Sequence, residues 1–81
     1  MQSLKPVLIR WTDSEASAGW KRIDDIPDDI KASEIDSIGY LIKENNESIV
    51  ISTSVSDNGS VMDPLTIPKC AILKRSDYPD A

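Results

Sequence analysis

The sequence predicts a mainly β protein, a small antiparallel five-stranded barrel with one short helix or helical turn. Three observations favour this fold class. Aliphatic and β-branched runs recur along the chain, turn-forming Asn, Asp and Gly separate them, and Ile and Val dominate the apolar residues while Phe is absent. Short strands with such turns are typical of small closed barrels. The 81 residues are expected to form one domain, residues 1–81, with 76–81 as a frayed tail.

The first predicted strand covers residues 7–12, where apolar and polar side chains alternate. Val7, Ile9 and Trp11 share one face of this strand, and we expect that face to be buried. Residues 13–19 fit a short helical turn and a flexible loop equally well. Residues 24–32 place Pro27 among acidic residues, which predicts a helix of one or two turns because proline and acids favour a helix's first turn.

The region from residue 37 to residue 75 predicts an antiparallel meander. Its first strand contains Gly39, which indicates a bend or bulge of the kind that closes a small barrel. The predicted segments are a long strand beginning near residue 34 or 35, a turn at 44–47, a strand at 48–55, a turn at 56–60, a run at 64–67, a 3₁₀ turn at 68–70 and a last strand from 71.

Composition excludes several classes of chemistry. The single Cys70 excludes an intramolecular disulfide and a cysteine-rich zinc site, and we expect it to be a small buried residue at the barrel end. The chain has no His, so the usual general base and metal ligand are missing. We therefore predict that the protein is not an enzyme and has no cofactor or metal.

The sequence predicts a soluble protein of the cytoplasm. No apolar run approaches the ~20 residues of a membrane span, and no basic segment precedes a hydrophobic stretch at the N-terminus. We expect no membrane partner.

The net charge of −5 arises between residues 12 and 36, which contain eight acidic and three basic residues. This acidic field disfavours non-specific nucleic-acid binding, because it repels phosphate backbones. The densest carboxylates are Asp24, Asp25, Asp28 and Asp29. Their spacing does not match a calcium loop. They fit a solvated acidic face, and they are also the predicted protein-binding residues.

Trp20 lies beside Lys21 and Arg22 in a chain that is poor in aromatic residues. An aromatic ring next to two cations combines base stacking with phosphate binding, so these three residues and Arg10 form a predicted ligand site. A tryptophan in this position is equally typical of the centre of a protein interface. It also fits a lid over the open end of the barrel.

Four pieces of the sequence resemble short uncharacterised proteins of bacteriophages and prophages. These pieces are Trp11-Thr12-Asp13-Ser14, Gly19-Trp20, Ser37 to Glu44 and Leu65 to Ile72. The long bent strand, the meander and the 3₁₀ turn before a short final strand are similar to the Sm-like and Src-homology-3-like small barrels. The resemblance implies a phage context and a barrel, and it implies no reaction.

Two function hypotheses follow from these observations. The first is a non-enzymatic phage-type protein that inhibits or modulates a host protein, such as one of anti-phage defence, by covering a basic groove with its acidic surface. The second is an oligomeric nucleotide-binding sponge that sequesters a defence signalling molecule. Exposed strand edges in so small a barrel favour a homo-oligomer in either case.

Overall fold

The computed structural model describes residues 4–14, 16 and 19–78. Its elements are the strands β1 (Pro6–Asp13), β2 (Ser33–Glu44), β3 (Ser48–Ser52), β4 (Leu65–Pro68) and β5 (Ile72–Asp77), with single 3₁₀ turns η1 (Ile23–Asp25) and η2 (Lys69–Ala71). The strands form one sheet in the order β4-β3-β2-β1-β5, and each pairing is antiparallel. The prediction of a mainly β protein with five antiparallel strands is confirmed.

The sheet is open rather than closed into the expected barrel. β4 and β5 lie at its two ends, and no pairing between them occurs within the described residues. β4 has four residues, one of which is Pro68, and Pro64 directly precedes it. Proline has no N–H to donate to a neighbouring strand, which explains why this edge is short and unpaired.

The core lies on one face of the sheet. Val7 and Ile9 of β1 are fully buried, as the alternation of this strand predicts, and Trp11 packs against them. The indole Nε1 of Trp11 donates a hydrogen bond to Ser37 Oγ at 3.1 Å, so its polar atom is satisfied. The other core residues come from the remaining strands: Ile49, Ile51 and Ile67 are buried, and Leu41 and Ile72 are partly buried.

β2 bends where it passes from one neighbour to the other. Its register with β3 shifts between Leu41 and Lys43, which places a bulge two residues after Gly39. Gly39 has a different role from the predicted bulge: a Cβ at this position would lie 2.8 Å from the carbonyl oxygen of Ser52. Glycine therefore allows β3 to approach β2 closely.

Both predicted turns of the meander are confirmed. In the first, Asn45 Oδ1 accepts hydrogen bonds from the N–H groups of Glu47 and Ser48 at 2.8 and 2.9 Å, a standard use of asparagine in a turn. In the second, the amide of Ser56 donates to the carbonyl of Ser60 at 2.8 Å. The predicted 3₁₀ turn before the last strand is also present, as η2.

The helix predicted over residues 24–32 is wrong. Only the single turn η1 forms, and the residue after it, Ile26, is extended with φ −83° and ψ 122°. Pro27 explains this result, since a residue before proline is displaced from helical to extended backbone. The helical-turn alternative for residues 13–19 lies largely outside the described residues, because 15, 17 and 18 are not among them.

Two smaller expectations also differ from the structure. Cys70 is exposed rather than buried, because it lies within η2 and contributes nothing to the core. β5 extends to Asp77, so residues 76 and 77 pair with β1 instead of belonging to a frayed tail. Residues 79–81 lie outside the described part of the chain.

The molecule is elongated and has a large surface for its mass. Its radius of gyration is 16.4 Å, whereas a compact domain of this length has about 12 Å. Its accessible surface is 6750 Å², whereas a folded monomer of 8.9 kDa exposes about 4,800 Å². The exposed surface includes large apolar side chains, such as Trp20, Ile23, Ile30 and Ile38.

Candidate functional site

The connection between β1 and β2 consists of residues 14–32, of which 14, 16 and 19–32 are described. The β1–β2 ladder ends at the pair Asp13 and Ser33, and none of these described residues pairs with a strand. Trp20 is fully exposed, and Ile23 and Ile30 are 86% and 76% exposed. Large apolar side chains in water are unfavourable for an isolated molecule, and a group of them in one segment is typical of a binding surface.

The four aspartates predicted to bind protein lie on the same connection. Asp24 and Asp25 belong to η1, Asp28 and Asp29 follow Pro27, and all four are exposed. None of them takes part in an ion pair among the described residues. Their negative charge is therefore available to a partner, and their assignment as protein-binding residues stays a prediction.

Trp20, Lys21 and Arg22 are exposed together at the start of this region. The interpretation of Trp20 as a lid over the sheet is wrong, because the indole is fully exposed. Neither cation forms an ion pair within the part of the chain that the structure describes. These residues are free to meet a ligand or a partner, and neither role is tested by the geometry alone.

Arg10, the fourth predicted ligand-binding residue, is engaged elsewhere. Its Nε and Nη2 donate to Asp36 Oδ1 and Oδ2 at 2.9 and 3.0 Å, a bidentate pair between β1 and β2. The hydrogen bond from Arg10 lowers the pKa of Asp36, and the same bond raises the pKa of Arg10. Arg10 lies three residues before the ladder ends at Asp13, about 10 Å along the strand, and no described hydrogen bond or ion pair joins it to Trp20.

A second ionic cluster, which the sequence analysis missed, joins β2, β5 and η2. Arg75 Nη1 donates to Glu44 Oε2 at 2.9 Å, and its Nε donates to Asp77 Oδ1 at 2.7 Å. Lys69 Nζ lies 2.8 Å from Glu44 Oε2. Hydrogen bonds from Arg75 and then Lys69 lower the pKa of Glu44 to about 2, and the bond from Arg75 lowers that of Asp77.

The charged groups of this cluster are paired with one another across β2, η2 and β5. Its charges satisfy one another, and together they fasten the last strand to the end of β2. Arg75 and Glu44 are 31 residues apart, so no local sequence pattern marks the contact. Only the strand order brings them together.

The face of the sheet opposite the core, called the outer face below, carries a shallow groove of about 390 Å³. Its lining residues are Leu8, Arg10, Asp36, Lys74, Ser76 and Tyr78. The alternation of β1 predicts that Leu8 and Arg10 lie on the face opposite the core. The sequence does not show which residues of β2 and β5 lie beside them.

The described residues were compared with the requirements of a metal site and of a membrane span. No three His, Cys, Asp or Glu side chains of this part of the chain lie together as metal ligands. Nor does the structure, over the residues it describes, contain a helix that is long and apolar enough to cross a membrane.

Comparison with known proteins adds no assignment. No protein-family model matches this sequence, and no significant match is found among curated proteins or solved structures.

Proposed function

We propose that this protein is a non-enzymatic, phage-type binding protein that inhibits or modulates a host protein, such as one of anti-phage defence, through its β1–β2 connection. One observation carries the proposal: exposed large apolar side chains and unpaired carboxylates occupy the same short segment. The apolar members are Trp20, Ile23, Ile26 and Ile30, and the acidic members are Asp24, Asp25, Asp28 and Asp29.

The apolar side chains supply the affinity in this proposal. Burying one large apolar side chain is worth about 1.5–3 kcal/mol, so a partner that covers several of them gains enough to offset the cost of association. Trp20 is the strongest candidate for the centre of the interface, since exposed tryptophans that become buried dominate binding energies.

The carboxylates supply orientation and rate. An acidic segment is attracted to a basic surface over a distance of about 8–10 Å at moderate salt, which speeds encounter and disfavours acidic partners. The partner that fits is therefore a protein with an apolar groove bordered by Lys and Arg. A host protein that binds nucleic acid has such a surface, and its groove would be blocked by occupation.

The context of the proposal comes from the sequence resemblance to bacteriophage and prophage proteins, which supports a partner in the bacterial cytoplasm. The bent β2 and the 3₁₀ turn η2 before β5 support a relationship to the Sm-like and Src-homology-3-like barrels. This sheet differs from a closed barrel because its edge strands β4 and β5 do not pair among the described residues.

The test begins with capture of the partner from a bacterial lysate by the tagged protein, followed by binding measurements with the purified partner. Changing all four aspartates of the connection to Asn is expected to weaken binding at low salt and to reduce its salt dependence. The matched control combines Asp57→Asn, Asp63→Asn, Glu34→Gln and Glu47→Gln, because it removes the same number of charges from exposed acids outside the connection. Equal binding by the two variants would overturn the proposal.

The nucleotide sponge remains the second candidate, because the fully exposed Trp20 adjoins two cations that form no ion pair among the described residues. A sponge would lose its ligand with Trp20→Ala or Arg22→Ala and would tolerate the four Asp→Asn changes. Native mass spectrometry of the freshly purified protein separates the candidates, since a bound nucleotide adds a small fixed mass.

A further inference from the structure

The outer face is organised in three rows that cross β2, β1 and β5. Residues directly opposite on paired strands share a face, so the strand register defines each row. The first row is Asp36, Arg10 and Lys74; the second is Ile38, Leu8 and Ser76; the third is Tyr40, Pro6 and Tyr78. Two of the rows are thus mainly apolar or aromatic, although no part of the described chain covers them.

Three large side chains of these rows are exposed to solvent. Ile38 is 63% exposed, and Tyr40 and Tyr78 are 39% and 42% exposed. They belong to the regular sheet rather than to the connection, so the binding segment proposed above does not account for them. The chain exposes about 1,950 Å² more than a compact monomer of its mass, whereas each partner of a standard interface buries about 800 Å², so the outer face needs to supply only part of this excess.

The charges of the first row are arranged asymmetrically. Asp36 lies at the β2 side, and Lys74 lies at the β5 side of the same row, with Arg10 between them. Arg10 is neutralised by Asp36 through its bidentate pair, whereas Lys74 forms no ion pair among the described residues. The row therefore has a net charge of +1, with a carboxylate that already accepts from Arg10 at its β2 end and an ammonium without an ion pair among the described residues at its β5 end.

A row with opposite ends is complementary to its own copy. Consider a second copy related by a two-fold axis that is parallel to the strands and passes over β1. Each row of the second copy then lies at the same position along the strands, and its β2 and β5 ends are exchanged. Asp36 then faces Lys74 of the second copy, Tyr40 faces Tyr78, and Leu8 faces Leu8. Arg10 meets Arg10, and each guanidinium already has its own carboxylate.

We propose that the outer face is the homodimer interface of this protein, formed face to face with a second copy about this two-fold axis. Two packed antiparallel sheets lie about 10 Å apart, which suits side chains of this size. The dimer would bury the tyrosines and Ile38 and would give Lys74 a carboxylate partner. None of the interface residues belongs to the β1–β2 connection, so the inference does not rest on the proposed function.

The test is the association state of the full chain, measured by sedimentation equilibrium over a range of concentrations. The wild type is expected to be a dimer in equilibrium with monomer. Ile38→Glu is expected to be monomeric with an unchanged circular dichroism spectrum. Met62→Glu is the matched control, since Met62 is 61% exposed and lies in the loop between β3 and β4, and this variant should remain dimeric.

Charge exchange tests the orientation of the two copies. Lys74→Glu is expected to raise the dimer dissociation constant about a hundredfold, because the two-fold axis makes the Asp36–Lys74 pair occur twice and each pair contributes about tenfold. Lys31→Glu, the same change on the connection, should leave it unaltered. Combining Asp36→Lys with Lys74→Glu should restore dimerisation, because the row is then reversed in both copies.

Two results would overturn the inference. The first is a wild type that is monomeric at every concentration, and the second is a dimer that persists in Ile38→Glu. Loss of that persistent dimer in Trp20→Ala would place the interface on the connection.

Discussion

Gly39→Ala is expected to destabilise the protein through a contact that only the structure shows. A Cβ at position 39 would lie 2.8 Å from the carbonyl oxygen of Ser52 and 3.1 Å from its carbonyl carbon. Both atoms are backbone, so no side-chain rotation relieves the clash, and β2 and β3 must separate by several tenths of an ångström. The separation lengthens ladder hydrogen bonds beside the buried Ile51.

The expected size of the effect follows from this overpacking. Forcing an extra carbon into a packed region costs about 1–3 kcal/mol. The total free energy of unfolding for a chain of 81 residues is about 4–12 kcal/mol, so the loss is a substantial fraction of it. Each kcal/mol lowers the melting temperature of a domain of this size by about 4–8 °C.

The assay is urea and thermal unfolding followed by circular dichroism, with Gly59→Ala as the comparison. A Cβ at Gly59 meets nothing within 4 Å, so only its φ of +86° opposes alanine, at a cost of about 1–2 kcal/mol. Where glycine has neither a clash nor a positive φ, Gly→Ala normally stabilises a protein by about 0.4–1 kcal/mol, because alanine restricts the unfolded chain. A Gly39→Ala variant as stable as the wild type, or more so, would refute the reasoning.

Four further predictions follow from the site. Arg75→Met removes the centre of the ionic cluster and should lower the free energy of unfolding by about 1–2 kcal/mol in urea titration, whereas Lys43→Met, at an exposed lysine outside both proposed interfaces, should not. The pKa of Glu44 is held at about 2 against an ordinary 4.5, so its contribution to stability is present above pH 4.5 and is lost as pH falls toward 2. Between pH 4.5 and pH 2, the melting temperature of Glu44→Gln should therefore fall less steeply than that of the wild type. Parallel curves of melting temperature against pH would contradict the lowered pKa of Glu44. Cys70 is exposed and should react with a thiol reagent in the native state nearly as fast as in urea; slow native labelling would show that it is covered. Trp20→Ala should change the free energy of unfolding by less than about 0.5 kcal/mol, because the indole is fully exposed, and a larger loss would mean that Trp20 packs on the fold.

The parts of the fold that the sequence predicts are those specified by local patterns. The alternation around Val7 and Ile9 defines β1 and its buried face, and Asn45 defines a turn through its own side chain. The helix over 24–32 fails for an equally local reason, since Pro27 displaces Ile26 to extended backbone and the nearby apolar residues have nothing to pack against.

The remaining features depend on residues that are distant in sequence. The bond between Arg75 and Glu44 spans 31 residues, and the rows of the outer face need the registers of three strands at once. Barrel closure likewise depends on whether the β4 and β5 edges meet, which no local pattern specifies. For the candidate site, the sequence indicates Trp20 and the aspartates by type, but their common exposure on an unpacked connection is visible only in the structure.

The most direct test of the proposed function is native mass spectrometry of the protein captured from bacterial cytoplasm, compared with its variant carrying Asn at positions 24, 25, 28 and 29. The proposal predicts that the wild type retains a protein-sized partner and that the variant loses it. A nucleotide-sized added mass that persists in the Asn variant and disappears in Trp20→Ala would contradict the proposal and establish the sponge instead.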